Sequence, residues 1–348
     1  MNTYNLAIIG FGGVTRALAQ LIVEDPHRIA SQGIGLRVVA ISDLAMGSLV
    51  EPEGIDLAAV LALPRGSTFA GLSGGSGVAD NEAIIRTSNA DIIAEATFTN
   101  PLDGEPAASH VRWALESGKH VITTNKGPIA LYGESLKQCA AENGVHFAFE
   151  GAVMSGTPVI GLARNLLTGL TVLGVQGILN GTSNYVLGRM ETGVSLEDAV
   201  AAAQNLGFAE ADPGADIGGS DVQLKLSILA NELLGASLSP ADVATTGIVG
   251  VTAEKIAAAA QQNKRFKLIG SAYRNDDGTI VAEVAPVALT ADHPLANISG
   301  VTNAVSFDTD LLGIVTIAGP GAGRTETAFA LLADILAVHA FEGAKVNG

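Results

Sequence analysis

An α/β architecture is what this sequence predicts: a doubly wound parallel sheet followed by a second, α+β unit. Three observations predict it. Over the first 150 residues, short apolar runs alternate with stretches of helical spacing, the pattern of βαβ units. Gly and Ala are plentiful while aromatics are only 4% of the chain, which suits tight strand–helix turns and close helix packing. After Glu150 the alternation stops. Helical runs then lead to two strand-like runs joined by Asn275-Asp276-Asp277-Gly278, a hairpin signal.

In chain order, Leu6–Ile9 reads as a buried strand. Val14–Glu24 follows with Leu18, Leu21 and Ile22 at helical spacing. Leu36–Ser42 is rich in β-branched residues and ends at Asp43. Asp91–Ala96, His120–Thr123 and Val145–Phe149 read as further strands, separated by helical runs at Glu105–Glu116 and Leu131–Glu142. Gly71–Gly77 reads as a loop. Beyond Glu150, Pro158–Leu167 has helical spacing and Val172–Leu179 reads as a strand. Ser195 caps Leu196–Leu206, with Asp198 at the capping-box position. Asp221–Leu234 and Thr252–Gln262 are helices, and Phe266–Tyr273 pairs with Thr279–Leu289. Gly313–Ala318, a glycine turn and Thr325–His339 repeat the strand–turn–helix rhythm, which predicts that this tail returns to the first domain. The expected division is a Rossmann-type domain over 1–150, an α+β domain over 151–310 and the returning tail over 311–348.

Composition narrows the function classes. A chain of 348 residues with 48% hydrophobic content can bury a large core. The net charge of −16 repels phosphate backbones and anionic membranes, so neither nucleic acid nor membrane is an expected partner. The single cysteine, Cys139, can form no internal disulfide, and its helical setting makes it a buried thiol rather than a nucleophile. No basic and apolar leader opens the chain, and no apolar run approaches the ~20 residues that span a bilayer. A soluble, cytoplasmic protein is expected.

Four motifs carry chemistry. Gly10-Phe11-Gly12-Gly13-Val14-Thr15-Arg16 joins the first strand to the first helix. Gly10 permits the sharp turn, Gly12 lets a pyrophosphate reach the backbone, and the helix start offers N–H groups. Thr15 replaces the third glycine of the usual fingerprint, which predicts a wider helix–strand contact. Asp43, at the end of the second strand, can accept hydrogen bonds from ribose hydroxyls, or it can be a turn or capping acid. No Arg or Lys closely follows it, so NAD is favoured over NADP, although Arg16 remains available for phosphate. The second motif, Thr123-Thr124-Asn125-Lys126-Gly127-Pro128, ends a strand where ligands of open α/β sheets bind. The third runs from Gly207 through Phe208, Glu210, Asp212 and Asp216 to Asp221 and Lys225. Asp221 and Lys225 are i,i+4 on a largely apolar helix. A lysine in that company needs an acidic neighbour, and it can then give a proton to an alkoxide. The carboxylates can equally hold a substrate ammonium group. Gly181-Thr182-Ser183-Asn184, the fourth, starts a helix able to face a carboxylate.

Together these segments resemble the homoserine dehydrogenase family. The resemblance is carried by the Gly10–Val14 turn, Asn125–Pro128, Phe149–Pro158, Gly177–Tyr185, Phe208–Pro213 with Asp216, Asp221 and Lys225, and Gly319–Gly323. It implies an NAD(P)-dependent enzyme interconverting L-homoserine and L-aspartate 4-semialdehyde, a step of threonine and methionine biosynthesis. It implies Lys225 as the acid–base residue, Lys126 as a second active-site lysine, and Asp221 as the partner of Lys225 and a substrate contact. Glu210 and Asp216 would bind the amino acid head group near Gly181 and Thr182. Thr97, Lys126, Gly321 and Ala322 would join Gly10, Phe11, Gly12, Gly13, Val14 and Asp43 around the cofactor. Glu150, Val153, Ser155 and Thr157 would match a structural sodium site made mostly of backbone oxygens. A homodimer is implied as well. Phe208 stands where many relatives carry Tyr, so a substrate hydrogen bond is expected to be missing. Neither an ACT domain nor an aspartate kinase fusion is present in this chain, so feedback through such a domain is not expected. The competing readings are a Rossmann oxidoreductase for another small semialdehyde and a non-catalytic nucleotide sensor.

Overall fold

Seven strands form the first sheet: β1 (Asn2–Ile9), β2 (Ile34–Asp43), β3 (Gly47–Val50), β4 (Gly75–Ser76), β5 (Ile92–Glu95), β6 (His120–Thr123) and β7 (Phe147–Ala148). This computed structural model describes residues 2–347, and the side chains of 346 and 347 are not described. The strand order is β4-β3-β2-β1-β5-β6-β7. β1 pairs in parallel with β2 and β5, and β5–β6 and β6–β7 are parallel too. Leu6, Ala7, Ile8 and Ile9 are fully buried, as expected for a strand covered on both faces, where the apolar run is continuous rather than alternating. The chain leaves β1 at Gly10, between β2 and β5. There successive connections diverge to opposite sides and open a crevice at the strand ends.

Two features of this unit depart from the sequence reading. β3 and β4 extend the parallel sheet with an antiparallel edge, and β4 lies inside the segment read as a loop. Two residues of strand give no periodic signal. The helix read as Leu131–Glu142 begins at Lys126. Pro128 sits in its first turn, where a missing N–H costs nothing because the first four have no helical partner.

A second unit spans Val153–Ala322, while the first comprises the residues through Ala152 and those from Gly323 onward. The second unit's sheet contains β8 (Val172–Ile178), β9 (Ala244–Thr245), β10 (Lys264–Arg274), β11 (Ile280–Thr290), β12 (Thr302–Thr309) and β13 (Gly313–Pro320) in the order β13-β12-β8-β10-β11-β9. β10 and β11 form the expected hairpin. The Ser220–Leu234 helix packs on β8, β10 and β11, with Val222, Leu226, Ile228 and Leu229 fully buried.

The tail is corrected by this arrangement. Its strand, Gly313–Pro320, pairs antiparallel with β12 inside the second sheet and does not return with the helix. β12 itself was not anticipated, because its apolar positions are interrupted by Ser306 and Asp308. Only the Arg324–Asn347 helix belongs to the first unit. Ala328, Leu331, Leu332, Ile335 and Val338 join that unit's core, against the Gly13–Glu24 helix. The stretch Arg324–Lys345 is long and apolar enough to cross a membrane by length and composition, which the sequence reading did not anticipate. Those five core residues explain its apolarity, and Glu326, Asp334, Glu342 and Lys345 interrupt it. Cys139 is half-buried on the Lys126–Glu142 helix, and burial, aided by Glu116 and Glu142, raises its thiol pKa.

Candidate functional site

In the first unit the glycine turn has the shape its residues predict. Gly10 has φ +88°, and a Cβ there would lie 2.7 Å from the Ala96 carbonyl oxygen. The Gly10 N–H donates to the Ser42 carbonyl, so the turn is pinned to both neighbouring strands. Gly12 is the N-cap of the Gly13–Glu24 helix; no side chain caps it, and no acidic residue occupies the first turn. Nothing lies within 4 Å of where a Gly12 Cβ would be. An exposed helix start of this kind fits an anionic pyrophosphate. Thr15 occupies the third position of the turn. It is buried, and its hydroxyl donates to the Gly10 carbonyl at 2.7 Å, replacing the missing glycine with a hydrogen bond.

Asp43 ties the turn to the second strand. Its Oδ2 accepts from the Phe11 N–H at 2.9 Å, and its Oδ1 accepts from the N–H groups of Ala45 and Met46. A carboxylate has about four acceptor positions, so these three bonds do not saturate it. Arg16 is closer to this loop in space than in sequence. Its guanidinium lies 4.7 Å from the centre of the Phe11 ring, and Nη2 is 3.1 Å from Met46 Sδ. The cation that the sequence offered for phosphate therefore stands beside the Asp43–Met46 turn.

At the next strand ends Glu95 organises the backbone. It is fully buried, accepts from the Thr97 N–H and the Thr97 hydroxyl, and accepts from the Thr123 hydroxyl at 3.0 Å. His110 lies 3.6 Å away. Asn125 caps the Lys126–Glu142 helix, and its Nδ2 donates to the carbonyls of Thr97 and Phe98. Thr97 and the start of the Lys126 helix are thus fixed by Asn125, a residue of the second motif, and by Glu95, which the sequence does not single out. Lys126 is the first residue of its helix and half-buried. A cation at that end opposes the helix dipole. Glu150 is half-buried, and its N–H donates to the buried Asp334 carboxylate at 3.1 Å.

The second unit holds the acid–lysine cluster. Lys225 is buried on the Ser220–Leu234 helix; its Nζ donates to Asp221 Oδ2 at 2.7 Å and to the Leu179 carbonyl at 2.8 Å. An ammonium has three donors, so one is left for a ligand. Asn180 links the rest. Its Oδ1 caps the Gly181–Met190 helix by accepting from the Ser183 N–H, and its Nδ2 donates to Asp216 at 2.7 Å and Asp221 at 3.0 Å. The sequence reading missed Asn180, although Asn before Gly-Thr-Ser is an N-cap signal. Burial raises the Asp216 pKa, Asp221 adds to the rise, and the hydrogen bonds from Asn180 and Thr182 oppose it.

The remaining expected residues spread around this cluster. The Thr182 hydroxyl donates to the Phe208 carbonyl at 2.7 Å, and the Phe208 ring packs edge-on against Tyr185. Glu210 follows on an exposed loop held through its carbonyl by Gln204. Its carboxylate makes no hydrogen bond among the described residues, so Glu210 is not part of the network that joins Asp216, Asp221 and Lys225. Ser155 and Thr157 are buried, and the Thr157 hydroxyl donates to the Pro320 carbonyl. Ser155 has φ 52°, a left-handed conformation uncommon outside glycine. Among the described residues, no group of three or more His, Cys, Asp and Glu side chains is placed to hold a metal ion. Gly321 abuts the Asn303 side chain, leaving no space for a Cβ.

Comparison with known proteins agrees with this geometry. The family model for homoserine dehydrogenase matches residues 158–336, and that for the homoserine dehydrogenase NAD-binding domain matches 10–150. The chain is 57% identical to the NAD(+)-dependent homoserine dehydrogenase of Pseudomonas canavaninivorans over 97% of each chain. It is 34% identical to the homoserine dehydrogenase of Methanocaldococcus jannaschii, over 96% of this chain and 98% of that one. Among solved structures, a putative homoserine dehydrogenase from Archaeoglobus fulgidus superposes with a TM-score of 0.86 at 34% identity, covering 96% and 99% of the two chains. A hyperthermophilic archaeal homoserine dehydrogenase in complex with NADPH gives 0.81 at 31% identity, covering 97% and 98%. With both family models matched and the glycine turn and acid–lysine cluster in place, the chain belongs to the homoserine dehydrogenase family.

Proposed function

We propose that the chain interconverts L-homoserine and L-aspartate 4-semialdehyde and uses NAD in preference to NADP. The observation that carries this reading is the buried Lys225, held by Asp221 and the Leu179 carbonyl with one donor to spare. In the oxidising direction the neutral amine form of Lys225 takes the proton of the substrate C4 hydroxyl, becoming the ammonium, as hydride leaves the same carbon. In the reducing direction it returns the proton to the forming alkoxide. The nicotinamide ring, when bound, accepts or supplies that hydride. Oxidation yields the aldehyde, reduced nucleotide and one proton, so alkaline conditions favour it.

Asp216 and Glu210 are assigned to the substrate ammonium group. Gly181 and Thr182, at a helix N-terminus, are assigned to its carboxylate. Lys126 adds a second positive charge for the ligands, and Thr97, Gly321 and Ala322 contribute cofactor contacts. The negative Asp43 supports NAD, because it disfavours a 2′-phosphate. The homologue of Pseudomonas canavaninivorans is described as NAD(+)-dependent, which points the same way. Arg16 beside Met46 offers a cation for a 2′-phosphate, so some use of NADP is expected as well. A monovalent cation held by backbone oxygens around Val153, Ser155 and Thr157 belongs to the same proposal, supported by the strained φ of Ser155. So does a homodimer through the second unit, supported by the exposed Val281 and Val287 of β11, and a cytoplasmic location.

Asp216 gives this assignment a pH signature. Its raised pKa means that, on acidification, it takes up a proton at a higher pH than an ordinary aspartate. The charge that binds the ammonium group is then lost early. The KM for homoserine is expected to rise on acidification while the pH is still above the ordinary carboxylate range. Asp216→Asn is expected to have a high KM that no longer changes there. A wild-type KM that stays flat across that interval would remove Asp216 from the ammonium site.

A further inference from the structure

The second unit contains another buried lysine that the reaction does not use. Lys267, on β10, is 3% exposed and is followed in the strand by the buried Leu268 and Ile269. Its Nζ donates to Asn184 Oδ1 at 2.9 Å and to the Ile298 carbonyl at 2.6 Å, with no carboxylate among the described residues in hydrogen-bond contact. Burial pushes its pKa below the ordinary lysine value, with Glu191 opposing. Burying an amine this way is costly, and a methionine would fill the same space without that cost. Packing alone does not explain the residue.

What Lys267 holds is informative. Asn184 is 1% exposed on the Gly181–Met190 helix. Its Nδ2 is directed at three carbonyls of one segment: Ile298 at 3.3 Å, Gly300 at 3.1 Å and Thr302 at 3.2 Å. Lys267 occupies the other end of the same amide. The stapled segment ends against the start of the helix, since a Cβ on Gly181 would lie 2.5 Å from the Val301 carbonyl oxygen. One residue earlier Asn180 contacts Asp216 and Asp221. The helix start is thus fixed on one side by the acid–lysine cluster and on the other by the 298–302 segment.

We propose that Lys267 is a positioning residue for substrate: through Asn184 it holds the 298–302 segment against Gly181, setting the place of the N–H groups assigned to the substrate carboxylate. This rests on the reading of the site given above. Lys267→Met is expected to raise the KM for homoserine roughly tenfold, the size of one or two lost buried hydrogen bonds. The KM for NAD should stay within about twofold, a change of under 0.5 kcal/mol. Lys267→Arg, which keeps charge and donors, should recover part of the loss.

The measurement is steady-state kinetics of the full-length chain, varying homoserine and NAD separately. An unchanged homoserine KM in Lys267→Met, or equal changes in both constants, would overturn the proposal. Should that variant fail to fold, Asn184→Ser removes the three-carbonyl staple and is judged by the same selective rise. A wild-type protein with no homoserine-dependent turnover would instead refute the site reading itself.

Discussion

Lys225→Ala is expected to lower kcat for homoserine oxidation by about 10²–10⁴-fold, the range for losing a positioned acid–base group. Nucleotide binding should survive, because the glycine turn, Asp43 and Thr97 lie in the other unit. The fold should survive too. Removing the lysine leaves Asp221 partly exposed, at 18%, and still bonded to Asn180. The reverse deletion differs. Asp221→Ala leaves a buried ammonium without its carboxylate, a situation that costs about 3–5 kcal/mol. Initial rates, with reduced-nucleotide fluorescence titration on the same preparation, separate these outcomes. Normal turnover in Lys225→Ala would remove the assigned proton carrier.

Gly10→Ala is the second change with a large expected effect. At φ +88° an L residue is strained by about 1–2 kcal/mol, and the added Cβ lies 2.7 Å from the Ala96 oxygen, closer than such atoms approach without movement. Both β1 and β5 are buried at that point, so the turn cannot shift alone. A loss of about 1–3 kcal/mol in stability and a weakening of NAD binding are expected together. Gly12→Ala is the informative contrast. Its Cβ enters open space, so stability should hold while the ligand's approach is blocked. Thermal unfolding and NAD titration of both variants check this. A Gly10→Ala protein with wild-type stability and NAD affinity would contradict the account of the turn.

Particular residues show what the sequence could reveal. The Leu6–Ile9 run, the Gly10 turn and the helix after it were readable because strand burial, positive φ and helical spacing each leave a local mark. Asp221 and Lys225 were readable as a pair because four residues make one helical turn. Asn180 carried a cap signal, but its link to the acids left no local mark, since its Nδ2 meets two carboxylates 36 and 41 positions away. Arg16 and Met46 are thirty positions apart, so their contact had no local trace. Glu95 read as an ordinary strand end, and only its burial among Thr97, Thr123 and His110 shows what it organises. The pairing of β13 with β12 was misjudged because strand–glycine–helix rhythm says nothing about which sheet receives the strand. Asn184 was named only as the end of a helix start. Its bond to Lys267 spans 83 positions.

The most direct test is the reaction itself. Purified protein is mixed with L-homoserine at alkaline pH, with NAD in one series and NADP in the other, and formation of reduced nucleotide is followed by its absorbance. The expected result is homoserine-dependent reduction with kcat/KM for NAD at least equal to that for NADP. Absence of homoserine-dependent reduction with either nucleotide, in protein that binds NAD, would contradict the assignment.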